Sequence, residues 1–312
     1  MSEWAVEARG LRKTFGHIVA VDSLHLQVRP GEVFGIVGPD GAGKTTTFRI
    51  LVGAVEPDAG EAFVAGFNVR THPEEVKRRI GYMSQRFSLY GDLTVQENMD
   101  LFADVYQVPG SERLARQKEL LEFSRLTPFR KRLAQNLSGG MKQKLALACT
   151  LIHTPEILFL DEPTTGVDPV SRRDFWRILY TLVGKGMTLV VSTPYMDEAE
   201  RCSRIAFMYN GRIIECDTPD NLRSRISGNL WEIICHPQRR AREIFAQLPE
   251  VKSVRVYGER LHVWLEDART GFQPLQEILT QSGIQVEHIR QVVAGLEDVF
   301  VSIIEKQRQE TR

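Results

Sequence analysis

The sequence has no uninterrupted apolar stretch near the roughly 18–20 residues that a membrane-spanning helix needs. Its nearest candidate, "LALACTLI", is far too short. The opening "MSEWAVEARG" has no apolar core that could act as a signal peptide. This polypeptide is therefore not expected to cross a membrane by itself. It also lacks a charge excess: Lys plus Arg and Asp plus Glu both number 40, a formal net charge of zero. A dedicated nucleic-acid binder usually shows a basic surplus, so no nucleic-acid partner is expected. Cysteine is scarce, with Cys149, Cys202, Cys216 and Cys235 forming no CxxC pair. That usage fits reduced structural thiols in a reducing compartment rather than a metal or disulfide framework. His236, His262 and His288 are too thinly spread to suggest a metal site. No fixed-period repeat or low-complexity tract stands out, and 312 residues suit one large and one small domain.

What is present first is alternation. Across residues 5–225, apolar runs such as "EVFGIVG", "EILFLDEP" and "MTLVVST" alternate with longer helical patterns. That is the mark of a parallel sheet with helices on its faces. Between residues 90 and 136 the strand signals vanish. Residues 94–105 and 112–126 carry apolar positions at helical spacing, so an inserted helical subdomain is expected there. From about Gly228 the pattern restarts: strand "NLWEIICH", helix "QRRAREIFAQL", a hairpin of "VKSVRVY" and "RLHVWLED" about Gly258 and Glu259, helix "GFQPLQEILTQSG", strand "IQVEHIRQVV" and helix "LEDVFVSIIEKQ". The order β-α-β-β-α-β with a trailing helix suggests a small ferredoxin-like sandwich. The expected domains are 1–227, with the helical subdomain at about 90–136, and 228–312.

Chemistry enters with "GPDGAGKTT", residues 38–46, which fits G-x-x-x-x-G-K-[ST] after a strand and before a helix. The glycines let the backbone curl so that its N–H groups point at phosphate oxygens. Gly38, Pro39, Asp40, Gly41, Ala42, Gly43, Lys44, Thr45 and Thr46 are the candidate nucleotide contacts. Lys44 is expected to reach the β- and γ-phosphates and the Thr45 hydroxyl to sit on Mg²⁺. In "ILFLDEP" an apolar strand delivers Asp161, a second candidate Mg²⁺ holder. Glu162 follows, placed to orient or deprotonate an attacking water. Alone this motif is weak, because strands often end in acidic turns. In "LSGGMKQ", Ser138 is a candidate N-cap, and the helix start behind Gly139 and Gly140 is a second anion-binding end; its plainer reading is an ordinary capped helix.

Phosphate loop, LSGGxxQ and LDEP in this order closely resemble the ATPase subunits of ATP-binding-cassette (ABC) transporters, over roughly residues 5–218. The resemblance implies an α/β P-loop NTPase fold with the helical insertion, ATP and Mg²⁺ as cofactors, and a dimer of cassettes. In such a dimer the signature residues Ser138, Gly139, Gly140 and Gln143 of one chain contact ATP held by the other. It further implies that Phe15, in "LRKTFGHIVAVDSL", stacks on adenine; otherwise it would be a core strand residue. Gln85, in "GYMSQRFSLY", touches Mg²⁺ and relays to the membrane subunit, and Asp168, in "TTGVDP", communicates across the dimer. Asp40 departs from the more usual Asn, with little consequence expected because the backbone makes that contact. Within the family, "LYGDLTVQENM", "TTGVDP", "YMDEAERC" and "GLEDVFVSIIE" resemble ATPases of ABC-2-type exporters, including the daunorubicin-resistance-like group. A separate permease, the cytoplasmic face of the inner (plasma) membrane, and an accessory C-terminal domain are what that resemblance implies.

One position departs from it. The family carries a histidine where this chain has Pro194, in "VSTPYMDEAE". Proline has no side-chain donor and no backbone N–H. After Ser192 and Thr193 it is expected at the first position of the following helix, a favoured proline site. The fold should tolerate it while one phosphate contact is lost, so hydrolysis is expected to be slowed rather than abolished. Several readings stay open: a homodimer with slow turnover, a nearby residue substituting for the histidine, a heterodimer with a histidine-bearing cassette, a non-hydrolysing ATP switch, or a soluble ABC protein unconnected with transport. The basic clusters "VKRR", "FRKR" and "QRRAR" read as solvated faces, given the balanced charge.

Overall fold

The structure, a computed structural model, describes residues 3–85, 89–225, 229–265 and 273–310. It divides into two compact units, Met1–Pro219 and Asp220–Arg312. The boundary expected at 227/228 lies outside the described residues, as do Glu266, Asp267, Gly271 and Phe272 of the expected strand and helix.

The first unit is built on a six-stranded sheet in the order Arg212–Asp217, Arg204–Tyr209, Val33–Val37, Thr188–Thr193, Ile157–Asp161 and Ile80–Met83. Neighbours are parallel except the first two, which form an antiparallel hairpin. The three central strands are buried at every position, the condition of a sheet covered on both faces. Their aliphatic composition follows from this, because a polar side chain would meet no water on either side. Phe48 of helix Lys44–Leu51 meets Phe159 edge to face, with ring centres 5.6 Å apart. Burying each such ring contributes about 1.5–3 kcal/mol, which fixes this helix under the sheet.

A second, antiparallel sheet was not anticipated. It runs Ile18–Val28, Val6–Phe15, Ala59–Val64 and Phe67–Asn68. Its first two strands turn at Gly16, whose φ of +58° suits a glycine. Register shifts along the hairpin blur the two-residue alternation that would have announced it.

The insertion contains helices Val95–Val105 and Gly110–Phe123. Val95, Met99, Ala103 and Leu121 share a core with Leu145, Ala148 and Cys149 of helix Gly139–Leu151. Thr94 and Glu97 form a reciprocal capping box at the start of helix Val95–Val105. Buried Asn98 then staples the entering chain, bonding to the Tyr90 N–H and to the carbonyls of Tyr90, Leu93 and Thr94.

The second unit has strands in the order Val251–Tyr257, Arg260–Leu265, Asn229–His236 and Gln285–Val292, all antiparallel. With helices Gln238–Phe245 and Gln273–Gln281, this is the ferredoxin-like arrangement. Ile233, Phe245, Leu261, Val263, Leu275 and Leu279 form its core. Glu232, His262 and Asp298 instead meet in a polar cluster, with Arg260 and Arg290 paired to Glu232.

Candidate nucleotide site

Parallel register brings the site together at the carboxyl ends of three strands. Val37 lies beside Thr193, and Asp161 lies beside Ser192. Crevices at this edge are where open α/β sheets bind ligands. The Gly38 N–H donates to the Thr193 carbonyl at 3.3 Å, pinning the start of the phosphate loop. Gly43 ends the loop at φ +106° as the N-cap of helix Lys44–Leu51. Any Cβ there would sit 2.3 Å from the Ala20 carbonyl oxygen and 2.7 Å from Met208 Cε. Glycine therefore lets the loop fold tightly against strand Ile18–Val28. No acidic residue occupies the first turn of the helix, so its N-terminal amides stay electropositive.

Lys44 is almost fully buried. Its Nζ donates to the carbonyls of Gly38, at 2.8 Å, and Pro39, at 3.0 Å, and lies 3.2 Å from Glu162 Oε1. The Thr45 side chain acts on the Asp161 carboxyl. Burial, the largest influence, raises the Asp161 carboxyl above its ordinary pKa, while the hydroxyls of Ser192 and Thr45 oppose it. Its Oδ1 accepts from Ser192 Oγ, but its buried Oδ2 has no hydrogen-bond partner among the described residues. A buried orphan carboxylate oxygen beside a threonine hydroxyl is an oxygen donor set suited to a hard divalent cation. The residues present thus fit Mg²⁺.

Glu162 adopts φ +49°, a left-handed conformation unusual for a side-chain-bearing residue. The surroundings hold it there. Its N–H faces the carbonyl and hydroxyl of Ser192, each at 3.1 Å. Its Oε2 accepts from Gln85 Nε2 at 2.9 Å and Thr165 Oγ1 at 3.4 Å. Strain fixed in this way is characteristic of functional positions.

Phe15 ends strand Val6–Phe15 and is 50% exposed, so it is no core residue. Exposed Ile18 and Val19 flank it, and Lys13 Nζ lies 5.5 Å from the ring centre. The same hairpin leads into Ala20, which abuts Gly43.

Ser138 caps helix Gly139–Leu151, accepting the Met141 N–H at 3.3 Å. Gly140 allows close approach to a neighbouring helix, since a Cβ would sit 2.6 Å from Ser171. That helix, Pro169–Gly184, is capped by Asp168, which accepts from Val170 and Ser171. These backbone bonds, chiefly that from Ser171, hold the Asp168 carboxyl below its ordinary pKa. Gln143 and Gln85 line a common cleft of about 300 Å³ with Leu89, Gln135 and Lys142. Asp40 is exposed on the loop.

Pro194 is not the first helical residue. The helix spans Met196–Ala199, with Tyr195 in the extended conformation at its N-cap. Thr193 Oγ1 accepts the Tyr195 N–H at 3.1 Å, closing a small side-chain turn around Pro194. That turn holds residue 195 out of helical geometry and delays the helix. Sequence reasoning also missed Ser192, Thr164 and Glu198. The two hydroxyls at the end of the apolar run "TLVVST" were the available signal for Ser192, since buried polar groups need partners.

Comparison with known proteins agrees with this geometry. A protein-family model described as "ABC transporter" matches residues 21–165. The "Probable multidrug ABC transporter ATP-binding protein YbhF" of Escherichia coli K12 is 44% identical over 72% of this chain, which spans 39% of that protein's length. "Daunorubicin resistance ATP-binding protein DrrA2" of Streptomyces coeruleorubidus is 37% identical over 97% of this chain and 96% of its own. "Nod factor export ATP-binding protein I" of Paraburkholderia xenovorans is 36% identical over 99% of this chain and 100% of its own. Among solved structures, an ATP-binding subunit of an ABC transporter superposes with a TM-score of 0.65 at 28% identity, covering 71% of this chain and 92% of that one. A dimeric post-hydrolysis state of the cassette MJ0796, bound to ADP and Pi, superposes at 0.62 and 29% identity, covering 68% and 98%. With relatives this similar along nearly its whole length, the chain belongs to the ATP-binding proteins of ABC transporters.

Proposed function

We propose that the chain is the energy-coupling ATPase of an ABC-2-type exporter, acting on a separate permease at the cytoplasmic face of the inner membrane. The observation that carries this reading is the convergence of Lys44, Thr45, Asp161 and Glu162 at one sheet edge. The resistance and export relatives favour an exporter. The described helices include none long and apolar enough to cross a membrane, consistent with a peripheral subunit.

In this reading, Phe15 stacks on adenine while the loop amides of residues 38–46 and Lys44 take the phosphates. Thr45, Asp161 and Gln85 hold Mg²⁺, which supplies positive charge to the phosphate oxygens. Lys44 leaves Glu162 for phosphate, freeing that carboxylate to accept a proton from water. Ser138, Gly139, Gly140 and Gln143 present an electropositive helix end to ATP held by a second cassette, with Asp168 beside that contact. Closure moves the helical insertion, and the segment at Gln85 passes the motion to the permease. The C-terminal unit serves as an accessory module.

Pro194 supports a second reading. A missing transition-state donor costs about 2.7–4 kcal/mol, roughly a hundred- to a thousandfold in rate. Slow turnover is then expected in a homodimer, and a heterodimer would place a competent site on the partner cassette. Phosphate release from the purified chain, measured beside Glu162→Gln and Pro194→His, tests both readings. Measurable, Glu162-dependent release supports an ATPase. ATP binding with no release from either the wild type or Pro194→His favours a binding-only switch.

A further inference from the structure

Behind the loop of Pro194 lies a carboxylate that no part of the proposed mechanism uses. Glu198 has a side chain only 1% exposed. Its Oε2 accepts from Thr193 Oγ1 at 2.7 Å, and its Oε1 accepts from Thr164 Oγ1. Arg172 Nε lies 3.6 Å from it, while the same guanidinium reaches exposed Asp197 at 3.4 Å and covers the Tyr195 ring at 4.5 Å. A buried charge is costly unless it is paired and hydrogen-bonded, and the two hydroxyls and Arg172 supply those partners.

The three partners come from three functional segments. Thr193 immediately precedes Pro194, and its carbonyl receives the first amide of the phosphate loop, Gly38. Thr164 lies in the loop between Glu162 and Asp168, where its carbonyl accepts the Val167 N–H. Arg172 stands one turn into the helix that Asp168 caps, its N–H bonded to the Asp168 carbonyl at 2.9 Å. One carboxylate thus joins the strand end beside the phosphate loop, the loop after the general base and the helix behind Asp168. Proline offers no donor with which residue 194 could anchor itself. The same Thr193 hydroxyl that closes the turn around Pro194 also donates to Glu198, tying that turn to the carboxylate.

We propose that Glu198 is a positioning residue that clamps the Pro194 loop to the Glu162–Asp168 loop, setting the hydrolytic geometry in the absence of a histidine at position 194. The proposal rests on the ATPase reading for its kinetic consequence but not for the clamp itself. Glu198→Gln keeps the size and removes the charge that holds Arg172; Thr164→Val removes one hydroxyl and leaves the rest in place.

Both variants are expected to speed amide hydrogen exchange at Val167, Val170, Ser171 and Tyr195. Because a misplacement of about 1 Å can cost on the order of a hundredfold, kcat should fall about 10- to 100-fold. KM for ATP should hardly change, since the phosphate-loop contacts are intact. A purely structural role would lower the melting temperature without this split. Unchanged exchange in both variants overturns the clamp, whether or not the chain hydrolyses ATP. Faster exchange with wild-type kcat overturns the positioning role. Should Glu198→Gln fail to fold, Thr164→Val decides alone. Absence of phosphate release from the wild type would sink the ATPase reading instead, and exchange would still judge the clamp.

Discussion

Two glycines of the phosphate loop separate backbone strain from steric exclusion. Gly41 and Gly43 both have positive φ, +77° and +106°. A Cβ on Gly41 would meet nothing within 4 Å among the described residues, whereas one on Gly43 would lie 2.3 Å from the Ala20 carbonyl oxygen. Gly41→Ala should therefore lose only the left-handed penalty, about 1–2 kcal/mol. Gly43→Ala adds an overpacking cost of about 1–3 kcal/mol, because ordinary contact demands that the loop or strand Ile18–Val28 move by roughly 1 Å. For a domain of this size each kcal/mol lowers the melting temperature by about 2–4 °C. Gly41→Ala should thus lose about 2–8 °C and Gly43→Ala about 4–20 °C. Moving the hairpin also moves Phe15 away from the loop, so only Gly43→Ala should bind ATP much more weakly. Thermal unfolding followed by circular dichroism, with titration of a fluorescent ATP analogue, provides both quantities. Equal melting temperatures and equal affinities for the two variants would refute the reasoning.

Two further expectations concern separate parts of the molecule. Pro194→His should raise the phosphate-release rate by up to about a hundred- to a thousandfold, and no change would remove the account of the missing donor. In the second unit, a hydrogen bond to Asp298 raises the pKa of His262 above its ordinary 6.5, against the opposing effect of burial. A raised folded-state value means that the protonated form stabilises, fully below pH 6.5 and less as pH rises through the folded pKa. Because Asp298 lies in the first turn of helix Leu296–Glu310, amides of that helix should be better protected at pH 6 than at pH 8 after correction for intrinsic exchange. The difference should vanish in His262→Gln; if it persists there, His262 is not its source.

The parts legible in the sequence were those whose chemistry is local. The phosphate loop needs its glycines in one short run, and Asp161 needs only a strand to carry it, so both could be read from residues 38–46 and 157–163. The Ser138 cap was equally local, since the donor it satisfies lies three residues on. Illegible features depended on distant partners. "MDEAE" is an acidic run at a helix start, yet Glu198 is buried because Thr164 and Arg172 come to it from another segment. Pro194 looked like a first helical residue because nothing nearby announces that Thr193 Oγ1 will capture the Tyr195 N–H. Phe15 had two readings, an adenine-stacking aromatic or a core strand residue, and its exposure at the hairpin rules out only the second.

The central claim is that Glu162, beside Lys44 and Asp161, makes this chain an ATPase. Magnesium-dependent phosphate release from the purified protein, compared with Glu162→Gln at matched ATP occupancy, tests it most directly. The account predicts slow but measurable release by the wild type, falling about 10²- to 10⁴-fold when the carboxylate becomes an amide, with ATP still bound. Release that is indifferent to Glu162→Gln would contradict it.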